Sequence, residues 1–532
     1  MARVVIDPVT RVEGHLRVEL QLDALGTRVT SATVGGDMYR GFENIVVNRD
    51  PRDAAPILSA ICGVCHSDHH IASVRALENA AGMLEYPDGY SKEGTSLPPN
   101  AVLSRNIVGG ADWAYSHALH LLALAGPDYD LYGLLGGSSA TPGIHSYADL
   151  LRLVVLPAQA YMHQTITLWG GKAPHQRGSV PGGNPVRPTA DVIASTREKV
   201  RAFRATVDAV APVIWNYLTN NAVKLSRMGS GTGNFISMGG FPDPTTSGGT
   251  DSMPLTLPRG VITNGNSVPG QFDPGKVTEG VDYAWYDQPS SSPVAGEQLP
   301  VPDMSKAGAY SWGKSPMYGG VACECGPLAR EYIAGVIPKL GNLLQSVHGS
   351  EVAGLPMNPK GSVFDRMMAR AVELVALVGS DSTSKNLTMV AGYSLGLSLT
   401  DILDALGIPR EGLMEHWLDG LDVGAPSYTQ SYENPGSGEG IGLWEAPRGS
   451  LLHWMKISGS KVSDYQVVAP TTWNVAHAGP LETSLVGTEV GTSGTADDLR
   501  NAAYVIRSFD MCGACTVHAI DAKGNDRYRR VG

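Results

Sequence analysis

The sequence predicts a mainly α-helical α+β protein with a large helical bundle core, a small N-terminal antiparallel sheet and long irregular insertions. Residues 4–34 alternate apolar and polar side chains in short runs, which is typical of paired strands. Several later stretches carry apolar residues at helical spacing, most clearly residues 191–228. Residues 229–306 are instead rich in Gly, Pro, Ser and Thr, which indicates either an inserted loop-and-hairpin region or a linker.

The small sheet is expected within residues 1–36. Three short alternating runs supply its strands, and residues 23–26 supply a turn before the last of them. Glu13 then lies at the turn that leads into the second strand.

Helices are predicted over much of the remaining chain. In residues 191–228 the apolar stripe runs from Val200 to Ile214, and Pro212 is expected to kink the helix. A second irregular stretch covers residues 424–442. The predicted helical stretches are residues 54–81 (interrupted by a cysteine motif), 115–124, 148–168, 191–228, 330–347 and 363–378.

Composition limits the possible partners. The chain has 532 residues, enough for about two to four domains on length alone. Its net charge of −11 argues against nonspecific nucleic-acid binding and against an anionic membrane surface as the main partner. No stretch approaches the roughly 20 apolar residues of a spanning helix, and no signal peptide is recognised. We therefore expect a cytoplasmic protein, or one that reaches a membrane only through partner subunits.

Two cysteine pairs, Cys62/Cys65 and Cys512/Cys515, form C-x-x-C motifs at opposite ends of the chain. Six cysteines in a chain of this length make no disulfide framework, so the pairs indicate metal or redox chemistry. A structural zinc site normally has its second pair about 12–20 residues after the first. Here nearly the whole protein separates the pairs, so we expect the fold to assemble a buried catalytic metal centre. The alternative is a four-cysteine zinc or iron–sulfur site.

The residues around both pairs resemble one family. Residues 62–69 are C-G-V-C-H-S-D-H, and residues 510–518 are D-M-C-G-A-C-T-V-H. They are similar to the C-G-x-C-x-x-x-H and D-x-C-x-x-C-x-x-H motifs of the large, catalytic subunit of nickel–iron hydrogenases. Further segments that resemble this family are residues 7–15, 40–53, 170–175, 326–330, 445–449 and 470–474.

Because the resemblance spans the chain, it implies one domain over residues 1–532. Residues 229–306 are then an insertion rather than a linker. Residues 519–532 correspond to a C-terminal tail that a protease removes in the family after nickel insertion, although this chain could instead retain it.

The resemblance implies the ligands of a nickel–iron centre. Cys62 and Cys512 would bind nickel terminally, and Cys65 and Cys515 would bridge nickel to an iron that carries carbon monoxide and cyanide. Separate maturation proteins make these iron ligands. His69 is expected to donate a hydrogen bond toward the bridging sulfur and so tune the thiolate.

A second group of residues is expected around that centre. Arg448 resembles the arginine that overhangs the metals, where its permanent charge can steady an anionic ligand. Asp510 would orient Arg448, Pro447 would line the iron ligands, and Thr471 would hydrogen-bond one cyanide.

Two further roles follow from the resemblance. Glu13 is the candidate proton relay, because burial can raise the pKa of a carboxyl group near a thiolate enough for it to accept a proton. Glu43 and His518 resemble the ligands of a divalent cation, usually Mg²⁺. Oxygen suits such a hard cation better than nitrogen does.

The implied activity is that of an uptake hydrogenase, the heterolytic oxidation of H2 to protons and electrons. The Cys512 thiolate, assisted by Arg448, would take the proton and Glu13 would pass it outward. The electrons would go to an iron–sulfur small subunit in a heterodimer or higher oligomer, because this chain has too few cysteines for its own cluster relay. The alternatives are a quinone-reductase relative, which would lack the four cysteines, and a zinc-stabilised structural subunit.

Three positions depart from the family pattern: Ala60, Ser116 and Met317. The family usually has arginine at the first and last of these, and some members have aspartate at the second. The metal ligands are unaffected. These departures suggest a divergent branch, for which we take the high-affinity uptake branch of actinobacteria as the hypothesis.

Overall fold

The structure is a computed structural model of the chain. None of the helices within its described segments combines the length and the apolar character needed to cross a bilayer. The described segments are residues 3–83, 97–137, 143–245, 255–266, 269–287, 301–348, 358–385, 387–389, 393–394, 397–429, 432–493 and 496–513.

Four helices form the centre of the molecule. They are α4 (Pro99–Leu119), α7 (Leu156–Gly170), α8 (Ala190–Asn220) and α12 (Val363–Val378), and they pack against one another in the main hydrophobic core. Every side chain of α12 is buried. The mainly helical fold class is thereby confirmed.

The boundaries of these helices follow local chemistry. The hydroxyl of Thr189 accepts a hydrogen bond from the Val192 N–H at the start of α8, as N-cap residues do. Ser362 caps α12 in the same way through the Asp365 N–H. Pro212 lies inside α8, which nevertheless continues to Asn220.

Shorter helices surround this bundle. They are α1 (Phe42–Ile45), α2 (Pro51–Leu58), α3 (His66–Ala80), α5 (Leu131–Gly136), α6 (Tyr147–Leu150), α9 (Ala222–Leu225), α10 (Pro327–Ile333), α11 (Val336–His348), α13 (Leu399–Leu406), α14 (Gly412–Asp419), α15 (Pro470–Asn474), α16 (Pro480–Leu485) and α17 (Arg500–Ser508).

The N-terminal sheet is antiparallel, in the order β1 (Arg3–Ile6), β2 (Leu16–Leu22), β3 (Val29–Gly36), as predicted. Residues on one face of β2 are buried and those on the other are partly exposed, which explains the alternation in the sequence.

A second three-stranded antiparallel sheet, absent from the prediction, consists of β12 (Ser437–Ala446), β13 (Gly449–Ser458) and β14 (Lys461–Val468). Its first strand begins inside the stretch that we expected to be irregular. Gly438, Gly440 and Gly442 alternate along it, and a Cβ atom at any of them would overlap the α3 backbone between Ala72 and Ala80. The glycines therefore permit close helix–strand packing, which holds α3 in place.

The described parts of residues 229–306 form short antiparallel pairs. The pairs are β4 (Phe235–Ser237) with β7 (Gly260–Ile262), β5 (Gly240–Pro242) with β6 (Leu255–Leu257), and β8 (Val277–Gly280) with β9 (Ser315–Tyr318); β10 (Thr388–Met389) pairs with β11 (Tyr393–Ser394) later in the chain.

Candidate metal centre

Three cysteine sulfurs meet in the interior. The sulfur atoms of Cys62, Cys65 and Cys512 all lie within 4.8 Å of one another, and those of Cys62 and Cys512 are 3.6 Å apart. Each side chain is at most 1% exposed, and no disulfide joins the described cysteines. The fold thus brings Cys512 to the N-terminal C-x-x-C motif across 450 positions of sequence. Cys515, the fourth predicted ligand, lies outside the described residues.

The N-terminal pair sits where a short 3-10 turn meets α3. The turn, Ser59–Ile61, ends at Cys62, and Cys65 is the N-cap of α3. The Cys62 sulfur accepts hydrogen bonds from the backbone N–H groups of Val64, at 3.3 Å, and Cys65, at 3.1 Å. Backbone donors and a helix N-terminus favour a thiolate over a thiol. Because the thiolate is the form that binds metals, this arrangement favours metal binding by the pair.

Cys512, the described member of the C-terminal pair, follows α17 and contacts two distant segments. The Cys512 N–H donates to Thr471 Oγ1 at 3.0 Å. On its other side Cys512 makes an isolated parallel bridge with Glu13. Thr471 and Glu13, both predicted site residues, therefore lie beside Cys512, a predicted metal ligand.

Arg448 lies in the tight turn between β12 and β13, next to Pro447, and is 1% exposed. Its Nη2 atom is 3.3 Å from Asp510 Oδ1, so the structure brings the predicted pair together. All three guanidinium nitrogens are buried without a hydrogen-bond partner among the described residues. Although burial opposes the charged form, the negative charges of Asp510 and the cysteines hold its pKa well above the usual value. A permanent cation with unused donors suits an anionic ligand on a metal.

Glu13 is partly exposed beside the sulfurs. Its Oε1 atom accepts a hydrogen bond from the Gly63 N–H at 3.4 Å. Burial and the neighbouring Cys62 charge raise its pKa to about 7, while the Arg448 charge acts in the opposite direction. A carboxyl group with this pKa can both accept and release a proton near neutral pH.

Histidines lie around the N-terminal pair. His69 Nδ1 is 3.0 Å from His453 Nε2, and His453 Nδ1 is 2.8 Å from the Tyr465 hydroxyl. The sequence analysis missed His453, which orients the His69 ring from β13. His175 contacts the Ser59 carbonyl through Nδ1 at 3.0 Å. Burial lowers the pKa of His66 to about 3, so His66 stays neutral.

Glu43 belongs to a second buried cluster, which we call the carboxylate cluster: Glu43, Glu279 and Lys314. Glu43 Oε1 accepts from the Val467 N–H at 2.8 Å and from Lys314 Nζ at 3.3 Å. Lys314 also donates to Glu279 Oε2 at 2.8 Å. Glu279 Oε1 is buried without a partner among the described residues. Two carboxylates against one ammonium leave a net negative charge with an unused oxygen, which fits a hard divalent cation. His518 lies outside the described residues.

The remaining cysteines, Cys323 and Cys325, are buried thiols. The Cys325 sulfur donates to the Pro470 carbonyl at 3.3 Å. Burial raises the pKa of Cys323 to about 12 and that of Cys325 well above its usual range. Thiols in this state are inert.

Fold and site together define a mainly helical protein that buries a cluster of cysteine sulfurs, able to hold a metal ion, near a buried arginine. Comparisons with known proteins agree. The chain matches the nickel-dependent hydrogenase family over residues 40–134, 144–392 and 412–518, and a HoxL-like segment over residues 3–34. The chain therefore belongs to the nickel-dependent hydrogenases as a catalytic large subunit, and it is an oxidoreductase that acts on H2.

Individual relatives cover nearly the whole chain. It is 31% identical to the periplasmic NiFeSe hydrogenase large subunit of Desulfomicrobium baculatum, over 99% of this chain and 96% of that one. It is 29% identical to the uptake hydrogenase large subunit of Bradyrhizobium diazoefficiens, over 98% and 96%. The reduced, active NiFeSe hydrogenase structure from Desulfomicrobium baculatum superposes with a TM-score of 0.76 at 29% identity, covering 97% of this chain and all of that one.

Proposed function

We propose that the chain is the catalytic subunit of an uptake hydrogenase, which oxidises H2 to protons and electrons. The observation that carries the proposal is the convergence of three cysteine sulfurs, a buried arginine with unused donors, and a partly exposed carboxyl group. A relative from Bradyrhizobium diazoefficiens that carries the name uptake hydrogenase supports the direction of the reaction.

The cofactor of this proposal is a nickel–iron centre with carbon monoxide and cyanide on iron, which supplies heterolytic cleavage of H2 when bound. Cys62, Cys65 and Cys512 would hold it together with Cys515. The Arg448 nitrogens, which have no hydrogen-bond partner among the described residues, could donate to an anionic ligand such as cyanide. Pro447 and Thr471 would line the same side.

The protein's own contribution is proton transfer. The Cys512 thiolate would hold the proton, with the Arg448 charge favouring its release. Glu13 would then receive the proton and deliver it outward, since it lies beside both cysteine segments and is partly exposed. Burial of the sulfurs leaves the centre itself without a direct contact with bulk water.

The carboxylate cluster would hold Mg²⁺ through Glu43, with Glu279 balancing its charge and His518 as the further predicted ligand. A bound Mg²⁺ would supply positive charge that ties the C-terminal segment to the core.

An iron–sulfur small subunit is the proposed electron acceptor, and maturation proteins would build the iron ligands. The relatives' names describe large subunits or large chains. The six cysteines of this chain serve the centre or lie buried elsewhere, so a cluster relay belongs to a partner. Any membrane attachment would come through such partners.

An infrared spectrum of the protein purified from its native host tests the proposal. We expect sharp carbon monoxide and cyanide bands, equal amounts of nickel and iron, and H2-dependent reduction of a viologen dye. Zinc alone, without these bands, in a fully matured preparation would contradict it. Bands with dye-driven H2 production but no H2 uptake would contradict only the direction.

A further inference from the structure

A row of buried charges of alternating sign begins at the metal centre. None of its members is more than 4% exposed. We call it the charge row, and it consists of Arg448, Asp510, Arg370, Glu373, Arg330 and Glu445.

Both ends of the charge row are defined by short contacts. Arg448 Nη2 is 3.3 Å from Asp510 Oδ1 at the metal end. At the other end Arg330 donates to both oxygens of Glu373, at 2.8 Å each, and to Glu445 at 2.7 Å. Glu373 also lies 3.0 Å from His117 Nε2. Among the described residues the ion pairs of Glu373 are therefore with Arg330 and His117, not with Arg370.

Arg370 is the middle cation and is 1% exposed. It projects from α12, and its Nη1 donates to the Ser508 carbonyl at 3.2 Å. Its Nε lies 3.8 Å from Asp510 Oδ2, and neither atom has a hydrogen-bond partner among the described residues. Among the described residues no ion pair joins Arg370 to Glu373, and Asp510 is the carboxylate that Arg370 contacts.

Asp510 is thus held between two guanidinium groups. A bidentate arginine–carboxylate pair has N–O distances of about 2.7–2.9 Å. The contact between Arg448 and Asp510 is longer, and none of the three Arg448 nitrogens has a hydrogen-bond partner in the described part of the chain. Asp510 therefore lies between Arg448 and Arg370 without a close bidentate pair to either.

We propose that Arg370 is a positioning residue: by holding Asp510 from the far side, it leaves the Arg448 donors directed at the metal centre. This inference rests on the proposed hydrogenase function. Without Arg370, Asp510 would form a closed ion pair with Arg448 and draw the guanidinium away from the ligands that it steadies.

The test compares three variants in the native host: Arg370→Gln, Arg370→Lys and Arg366→Gln. Arg366 is the matched control. It lies one helical turn from Arg370 on α12, is 3% exposed, and forms its own bidentate pair with Glu324 at 2.7 and 2.8 Å. Losing that pair should reduce stability. The Arg366 guanidinium also lies 3.7 Å from the ring centroid of Phe509, but none of its described contacts is with Asp510 itself.

For Arg370→Gln we expect shifted carbon monoxide and cyanide bands and a fall in kcat on the order of a hundredfold, because catalytic groups are sensitive to small displacements. The KM for H2 should change little. Arg370→Lys keeps the positive charge but not the several N–H donors of the guanidinium. Its infrared band positions and its kcat should therefore lie between those of the wild type and Arg370→Gln. Arg366→Gln should lower the melting temperature and leave the bands in place.

Wild-type bands and kcat in folded Arg370→Gln would overturn the inference, as would an equal band shift in Arg366→Gln. If the Arg370→Gln protein does not accumulate, the test rests on Arg370→Lys. An unshifted infrared spectrum and full kcat in Arg370→Lys would then overturn the inference. Absence of bands and of H2 oxidation in the wild-type protein would instead overturn the proposed function.

Discussion

The metal centre and the carboxylate cluster are both buried and both assembled from distant parts of the chain, but the groups with unused hydrogen-bonding atoms carry opposite charge in the two sites. At the metal centre Arg448 has three buried nitrogens, none of which has a hydrogen-bond partner among the described residues. In the carboxylate cluster two carboxylates surround one ammonium, and Glu279 keeps an unused oxygen. The first site is suited to soft metals that carry anionic ligands, and the second to a hard cation.

The largest effect is expected from removing a sulfur at the metal centre. Cys512→Ser should abolish nickel binding and H2 oxidation, because the hydroxyl replaces a soft thiolate. Metal analysis and dye reduction measure both. Cys323→Ala is the matched control, since that buried thiol lies outside the cluster of sulfurs. It should keep full nickel content, and full activity in Cys512→Ser would remove the site from consideration.

A smaller loss is expected from Glu13→Gln, which keeps the shape of the side chain but cannot carry a proton. H2 oxidation should fall by about a hundredfold or more, while nickel, iron and the infrared bands remain. Glu19→Gln, on β2 and paired with Arg3 at the surface, should behave like the wild type. Unchanged turnover in Glu13→Gln would exclude this carboxyl group as the relay.

At the carboxylate cluster we expect a bound divalent cation to stabilise the folded protein. A chelator should lower the melting temperature of the wild-type protein by several degrees, and Mg²⁺ should restore it, because a ligand bound only to the folded state stabilises it. Glu279→Gln should reduce that response. Glu482→Gln should retain it, since the Glu482 carboxylate already accepts from Val34, Ala478 and Tyr310. A wild type indifferent to chelation would contradict the Mg²⁺ assignment.

The last effect is on stability alone, with no loss of activity expected, and it concerns the buried carboxyl group of Asp365. Burial raises the pKa of Asp365 from 3.8 to about 7. The folded protein therefore binds more protons than the unfolded chain between these values, and stability should fall as pH rises from about 4 to 7, by up to about 4 kcal/mol. Asp365→Asn should flatten this slope in urea unfolding curves.

Asp401 provides the control for that slope. It occupies the same position in the capping box of α13, but hydrogen bonds from Ser398 lower its pKa. Its contribution is present above its ordinary pKa and is lost as the pH falls through the lowered value. Asp401→Asn should therefore leave the slope between pH 4 and 7 intact, and an equal flattening there would contradict the assignment to Asp365.

Much of the fold could be predicted because its signals are local. The alternation in β2 and the apolar stripe of α8 each reflect one buried face. The sheet β12–β14 was missed because alternating glycines in β12 are typical of loops. Their role is to admit the α3 backbone, and this need appears only when the two elements are packed.

By itself the sequence determined the ligand chemistry: the two cysteine pairs and their flanking residues indicate a nickel–iron centre. It did not single out Arg370, Glu373 or Lys314 as charges that matter. Only the tertiary structure decided which buried charges face one another, because Coulomb interactions depend on distances that chain separation does not encode. Arg366, Arg370 and Glu373 recur at helical spacing in α12, where every other residue except Asp365 is apolar. That local signal shows charges on a buried helix, but their partners come from segments that meet only in the folded protein.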